Sequence, residues 1–352
     1  MNQDRNIQIE QFKNINLGDP FFQSLLENYS EFPKWFAKKS EENAYIMKND
    51  HGRIQAFLYL KEENEEITDV TPSLPKDRYL KVGTFKINAH GTKLGERFVK
   101  KIIDHAVDKQ ISKIYVTVFS EHKGLISMLE KFGFRKIGKK DTLNGTENVL
   151  LKDIKFVSGQ LESDYPLIHL TGRQYLLAIY PKFHTRLFPD SILAREDAKI
   201  IDDVSHTNSI SKIYICKMPR VQNLIRGDAL VIYRTSDEQG PAEYRSVATS
   251  LCMVEDVRQK EDFADLKDFL KYCSSRSVFS EQELSFFFKN WKNMFVIKMT
   301  YNGALHNRII RQKLINEVGL RRDDYWGFID LDRNQFKHIA SLGGFSDSLI
   351  ID

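Results

Sequence analysis

The chain has 352 residues, of which 41% are hydrophobic and 28% are charged, and its formal net charge is +4. These proportions exclude a fibrous or disordered chain, and the length predicts two domains rather than one. The small positive charge excludes the strongly basic class of obligate DNA-binding proteins, but it is compatible with a local basic patch.

Three cysteines, Cys216, Cys252 and Cys273, are widely spaced and form no CxxC pair. That spacing argues against a disulfide framework and against a zinc site built from thiolates. The first residues lack the charged and apolar regions of a secretory signal, and no apolar run approaches the roughly 18 residues of a membrane span. We therefore expect a cytoplasmic protein that binds no metal and no membrane.

The first half alternates predicted helices and strands. Hydrophobic spacing predicts three helices, over 21–29, 96–110 and 121–132. Strands are predicted over 45–48, 54–60, 79–87 and 114–119, and turn residues predict a hairpin of 134–137 with 148–151. This order predicts an α/β mixed sheet with flanking helices and a right-handed crossover. We place the domain boundary at 155/156, where the periodicity is lost.

The second half is predicted to be an α+β domain. Short strands are expected over 212–216, 229–233, 243–249, 251–254 and 294–300, with helices over 281–292, 306–318 and 334–340. Ser280 and Glu283 have the spacing of a capping box that opens the first of these helices. Short strands with interspersed helices favour a small curled barrel over a second doubly wound sheet.

The turn from His90 to Gly95 directly follows a predicted strand and opens a helix. Backbone N–H groups of a first helical turn lack partners inside the helix and favour an anion such as a pyrophosphate. Two glycines alone are also compatible with an ordinary strand-to-helix turn.

A second segment, Leu129–Gly138, ends the next helix with the sequence Leu-Glu-Lys-Phe-Gly-Phe. Together, and in this order, the two segments resemble the conserved motifs of GNAT-superfamily acyltransferases over roughly residues 8–153. Gly95 matches the first motif, whereas His90 and Lys93 differ from its usual Gln/Arg and Gly.

The resemblance implies an acetyl-CoA site where two sheet strands splay apart. By this resemblance the pantetheine arm would bind the backbone of one strand, and the pyrophosphate would bind the following turn. The strand residues are Thr84, Phe85, Lys86 and Ile87, and the turn residues are His90, Gly91, Thr92, Lys93, Leu94 and Gly95.

The catalytic positions match the family less closely. Leu129 stands where many members have a tyrosine that acts as general acid, and leucine has no proton to donate. His122 corresponds to the motif's Asn, so Ser120, Glu121 and His122 are the candidate acid–base residues. The alternative is that Ser120 caps the helix while Glu121 and His122 are solvated.

Basic and aromatic residues alternate over 180–189, a composition suited to phosphate contact and base stacking. The strands that follow, with the turn at Gly227-Asp228, resemble PUA-like domains, including ASCH and EVE domains, which implies RNA or modified-base recognition. The candidate nucleic-acid contacts are Lys182, Phe183, His184, Arg186, Arg308, Arg311, Arg321 and Arg322. The alternative is that the aromatic residues fill the core and the arginines are surface residues.

We therefore expect residues 1–155 to form a GNAT-like domain that transfers an acetyl group from acetyl-CoA to an amine. Residues 156–352 are expected to form a PUA-like domain that chooses the acceptor, with RNA, tRNA or a nucleic-acid-associated protein as partner. Two alternatives stay open: an inactive GNAT scaffold in a nucleic-acid-binding regulator, and a toxin or defence component.

Overall fold

The fold is taken from a computed structural model that describes residues 7–49, 51–88, 94–188, 209–274 and 276–352. The chain forms two compact units, which divide between Asp164 and Tyr165. Each unit has its own sheet and its own hydrophobic core.

The first unit contains a seven-stranded sheet in the order β1-β2-β3-β4-β5-β7-β6. Its strands are β1 (Gln8–Gln11), β2 (Asn43–Lys48), β3 (Ile54–Glu63), β4 (Tyr79–Ile87), β5 (Lys113–Phe119), β6 (Arg135–Thr142) and β7 (Gly145–Asp153). β4 and β5 are parallel, whereas the other neighbours are antiparallel. The mixed α/β sheet predicted for this half is therefore confirmed.

Among the described residues, five α-helices accompany this sheet: α1 (Gln23–Asn28), α2 (Phe32–Lys38), α3 (Leu94–Asp108), α4 (Lys123–Lys131) and α5 (Leu161–Asp164). α3 connects the two parallel strands and buries Phe98, Ile102 and Ala106, which recur at helical spacing. Gly133 follows α4 with φ +84°, a conformation that glycine adopts without strain and that ends the helix. The two helices that bracket the candidate site thus follow from local sequence signals.

Aromatic side chains form much of the first unit's core. Phe12, Phe22, Phe36 and Phe57 pack edge to face or tilted, with ring centroids 4.8–6.2 Å apart. Phe32 and Phe36 of α2 are buried in this cluster. These rings hold α1 and α2 on one face of β2 and β3.

The second unit is built on a six-stranded sheet in the order β10-β13-β12-β11-β9-β14. The unit's strands are β8 (Ile168–His169), β9 (Gln174–Ile179), β10 (Ser211–Cys216), β11 (Ala229–Arg234), β12 (Val247–Gln259), β13 (Phe295–Ile310), β14 (Phe328–Leu331) and β15 (Ile350–Ile351). β9 and β11 run parallel, and β8 pairs with β15 in a separate two-stranded sheet.

The helices of the second unit are α6 (Pro181–Leu187), α7 (Ala242–Arg245), α8 (Leu266–Cys273), α9 (Glu281–Asn290), α10 (Arg311–Asn316) and α11 (Arg333–Leu342). The capping box that opens α9 is present, with Ser280 Oγ accepting from Glu283 N at 3.2 Å and Glu283 Oε2 accepting from Ser280 N at 2.8 Å. The helices predicted over 281–292 and 334–340 are thus confirmed.

Three predictions for this half need correction. The helix expected over 306–318 begins at Arg311, because β13 continues to Ile310, where Leu305 and Ile309 are buried and Ile309 pairs with Ala248. The strands expected over 243–249 and 251–254 are one strand, β12, preceded by α7. In the described residues the strand order is linear, with no pairing between β10 and β14, so a closed barrel is not formed there.

Candidate functional site

The parallel pair β4 and β5 separates part of the way along the sheet. Their residues pair from Tyr79 with Lys113 to Val82 with Val116, while β4 continues to Ile87 and β5 to Phe119. The second half of β4 therefore pairs with β3 on one edge and, in the part of the chain that the structure describes, has no strand partner on the edge towards β5.

A bulge explains why the strands part at this point. Tyr59 pairs with Thr84 and Leu60 with Val82, so Gly83 is an extra residue in β4. Extra residues of this kind bend a strand and increase its twist. A Cβ at Gly83 would lie 2.7 Å from the Tyr59 ring, so the bulge also requires glycine here. The separation of β4 from β5 begins directly after this residue.

The four predicted strand residues are partly buried along this open segment. Phe85 packs its ring 5.9 Å from Phe98 of α3. Lys86 Nζ donates to Phe21 O and to Ser24 Oγ, each at 2.5 Å, and burial lowers the pKa of its ammonium. The Lys86 ammonium is therefore bound to residues at the start of α1. A ligand at this open segment would contact the β4 backbone rather than this cation.

Only two of the six predicted turn residues belong to the described part of the chain. His90, Gly91, Thr92 and Lys93 lie outside the described residues, whereas Leu94 and Gly95 form the first turn of α3. A Cβ at Gly95 would lie 2.6 Å from Met128 Sδ of α4, so glycine here permits close packing of α3 and α4.

The candidate acid–base residues follow β5 and open α4. Ser120, Glu121 and His122 are all exposed. Ser120 Oγ accepts a 2.9 Å hydrogen bond from Asn148 Nδ2 of β7, and His122, not Ser120, is the residue before the helix. Leu129, at the position where the family resemblance implies a tyrosine, is 1% exposed and packed in the core.

Tyr29 is a candidate that sequence reasoning missed. Its ring centroid lies 6.0 Å from that of Phe119, which is the last residue of β5. Tyr29 therefore lies at the end of β5, beyond the point where β5 separates from β4. Burial, followed by Glu147, Glu121 and Glu31, raises the pKa of its phenol to about 12. No motif marks Tyr29, because it approaches β5 only when α1 packs on the sheet.

The residues of the predicted nucleic-acid stretch have different environments. Lys182 is exposed and Arg186 is half-buried on α6, whereas Phe183 packs on the core with its ring 4.9 Å from Phe279. His184 is fully buried, with Nε2 2.7 Å from Thr249 Oγ1. Burial, then Arg234 and Arg308, lowers the pKa of His184 to about 3. His184 therefore stays neutral in the interior, which differs from the surface contact expected of it.

The four arginines predicted to contact a nucleic acid interact with other groups of the protein. Arg321 pairs with Asp323 at 2.9 Å, and Arg322 pairs with Glu243. Arg311 stacks 4.2 Å from the Trp326 ring centroid and donates to Arg322 O. Arg308 is half-buried and donates to Thr249 O at 3.5 Å. These contacts reduce the positive field that this part of the unit presents to a phosphate.

The described residues lack two further features, a membrane-spanning helix and a cluster of metal ligands. None of their helices is long and apolar enough to cross a membrane. They also contain no group of three or more His, Cys, Asp or Glu side chains with the geometry to hold a metal ion. All three cysteines are buried free thiols.

Comparison with known proteins adds a family match for the first unit. Residues 9–134 match the model of the acetyltransferase (GNAT) family, which confirms the resemblance seen in the motifs of this half. No curated protein matches the sequence.

Similar solved structures are of two kinds. ASCH from Zymomonas mobilis is 12% identical, with a TM-score of 0.33 over 48% of this chain and 95% of its own. Arabidopsis thaliana Naa50 in complex with a bisubstrate analogue, and an Elizabethkingia anophelis GNAT family acetyltransferase with acetyl-CoA bound, are each 15% identical, with TM-scores of 0.31 over 42% of this chain and 98% of theirs.

Proposed function

We propose that the first unit is an acetyl-CoA-dependent N-acyltransferase that acts on an amine acceptor. The observation that carries this proposal is the open edge of β4 after Val82. A strand edge without a neighbouring strand offers backbone N–H and C=O groups to an extended ligand, and the amide-rich pantetheine arm is such a ligand. The GNAT family match over residues 9–134 supports the same conclusion.

The donor would be held at two places. The backbone of Thr84–Ile87 would bind the pantetheine arm, and a backbone N–H of β4 would polarise the acyl carbonyl. The turn 90–95 would bind the pyrophosphate, since it leads into the first turn of α3, where the helix dipole favours an anion.

The acceptor amine would approach from the end of β5. The carboxylates that surround Tyr29 favour a cationic molecule over an anionic one. The neutral amine nitrogen would bond to the acyl carbon and the C–S bond would break. Tyr29 would then supply a proton to the departing thiolate, and the amine's own proton would return to the phenolate through water. Ser120, Glu121 and His122 remain proposed proton acceptors at the same strand end.

For the second unit we propose recognition of the acceptor, with a nucleic acid as the partner. Exposed Lys182 and half-buried Arg186 on α6 support this role. We further propose that the protein acts in the cytoplasm, because three free cysteines suit a reducing compartment.

Calorimetric titration with acetyl-CoA tests the donor site. We expect Gly95→Glu to abolish binding, because it places a carboxylate at the proposed pyrophosphate position. Gly124→Glu is the matched control, since a side chain at Gly124 of α4 meets nothing within 4 Å, and it should bind as the unmodified protein does.

The close contact with Met128 calls for a second pair of variants. Gly95→Ala with Met128→Ala makes room without adding charge and should keep binding, whereas Gly95→Glu with Met128→Ala should lose it. Equal affinity in these two double variants would show that the pyrophosphate lies elsewhere.

A non-catalytic scaffold is the second candidate function, favoured by the buried Leu129 at the usual tyrosine position. It predicts acetyl-CoA binding without release of free CoA in the presence of any amine acceptor. Thiol release with a panel of amines, followed by mass spectrometry of the products, separates it from the acyltransferase.

A further inference from the structure

Two exposed tyrosines lie at one end of the second unit's sheet. Tyr180 is 64% exposed and Tyr325 is 59% exposed. Tyr180 directly follows β9, and Tyr325 precedes β14, the strand that pairs with β9. Large aromatic side chains at such exposure leave apolar surface in water, so two together mark a surface suited to a partner.

Backbone contacts hold both residues in place. Tyr180 O accepts hydrogen bonds from Phe183 N at 3.0 Å and His184 N at 2.9 Å, which fixes the start of α6. Ala178 N donates to Gly327 O at 3.0 Å and ties the Tyr325 turn to the end of β9. A Cβ at Gly327 would lie 2.5 Å from the Tyr325 ring, so that ring rests on the glycine backbone.

The register of β9 and β14 brings the two tyrosines together. Leu177 pairs with Phe328 in an antiparallel arrangement, and Ala178 N donates to Gly327 O in the same register. Continued by two residues, this register places Tyr180 opposite Tyr325. The two exposed tyrosines therefore belong to the same end of the sheet rather than to separate parts of the surface.

Two cationic side chains lie on α6, the helix that follows Tyr180. α6 begins directly after Tyr180 and carries Lys182 and Arg186 four residues apart, with no acidic residue in the helix. In the described part of the chain neither cation forms an ion pair, whereas Arg321 and Arg322 do. Lys182 Nζ lies 4.6 Å from the Phe183 ring centroid. Exposed aromatic rings and cations outside ion pairs match the bases and phosphates of a nucleic acid strand.

We propose that Tyr180 and Tyr325 form a stacking surface for bases of a single-stranded nucleic acid, with Lys182 and Arg186 contacting its phosphates. This inference rests on the nucleic-acid role proposed for the second unit and replaces Phe183 and His184 as the base-contacting residues. Paired bases are stacked on each other inside a duplex, so the surface should prefer single strands.

Fluorescence anisotropy of the full chain with a labelled 20-nucleotide RNA of mixed sequence tests the surface. We expect Tyr180→Ala and Tyr325→Ala each to weaken binding by about tenfold or more. Tyr180→Phe and Tyr325→Phe should keep near-normal affinity, because stacking needs the ring and not the hydroxyl. Phe286→Ala is the matched control, since Phe286 of α9 is also exposed, at 57%.

Each outcome decides between the two proposals. Binding that is weakened by the alanine variants, kept by the phenylalanine variants and reduced by salt supports the stacking surface. Binding unaffected by both alanine variants overturns the surface but not the nucleic-acid role. No binding of single-stranded RNA or DNA at low salt overturns both and points to a protein partner. Parallel titrations with DNA of the same sequence and with duplex RNA identify the preferred strand.

Discussion

His184 shows how burial of one residue makes stability depend on pH. The folded protein holds the pKa of His184 at about 3, so the ring is neutral in the fold and takes up a proton only on unfolding, below about 6.5. The unfolded state therefore binds more protons between these two pH values, and the free energy of unfolding falls as the pH falls through this window.

We expect His184 to remove about 2 kcal/mol of stability between pH 6.5 and pH 5, at about 1.4 kcal/mol per pH unit. His184→Gln should lower stability at pH 7 because of the lost contacts, but it should flatten this dependence. Urea unfolding at pH 6.5 and at pH 5 measures the free energy of unfolding. His306→Gln, at an exposed histidine, is the control. If the free energy of unfolding changed equally with pH in all three proteins, His184 would not be a buried neutral ring.

Tyr29 is the proposed proton donor to the departing thiolate. If its phenol donates the proton, Tyr29→Phe should lower the turnover of the best amine acceptor by about 10²-fold or more, with unchanged acetyl-CoA affinity. The control is Tyr45→Phe, which removes a half-buried phenol that contacts His105 Nδ1 at 2.9 Å, on the side of β2 and α3. Loss of acetyl-CoA binding in Tyr29→Phe would assign the residue to packing instead.

His122 has a separate test. It stands at the start of α4 beside the proposed thioester position, so His122→Ala should reduce turnover more than acetyl-CoA affinity. The pH–rate profile is the measurement that distinguishes an acid–base role. A profile that keeps its shape in the variant would leave His122 a solvated surface residue.

At the scale of single elements, α9 is a helix whose start is specified locally. Ser280 and Glu283 satisfy each other's backbone N–H groups in a capping box. Ser280→Ala should cost about 1 kcal/mol in the free energy of unfolding. Ser127→Ala, on the exposed face of α4, should have little effect, and chemical denaturation of both variants is the comparison. A cost shared by both variants would mean that the cap is not the cause.

Most elements with local signals could be predicted, whereas a boundary that depends on pairing with a distant strand could not. β4 was predicted with the bounds that the structure has, because its alternating apolar residues lie between polar loops. The start of the helix at 306 was wrong, because β12 pairs with β13 as far as Ile310 and overrides the helical pattern. Helix α8 was not predicted, although Asp265 caps it by accepting from Asp268 N at 2.8 Å.

For the whole molecule, ligand binding should be visible in one unit. Acetyl-CoA should slow amide hydrogen exchange over 79–95 and 119–131, because binding stabilises only the state that contains the site. The second unit, 165–352, should exchange at an unchanged rate. Mass spectrometry of peptides from the full chain gives both results, and protection confined to the second unit would place the donor there.

The sequence by itself determined the strands β2 to β7 of the α/β sheet, the start of α9, and the family that the first unit resembles. These properties depend on neighbours a few residues apart in the chain, such as caps, turns and hydrophobic periodicity. The resemblance implied that two strands splay apart, but only the tertiary structure decided that they part at the Gly83 bulge, that Tyr29 lies beside Phe119, and that His184 is buried. Each of these depends on residues distant in the chain that meet through sheet pairing and core packing, and no local pattern encodes such meetings.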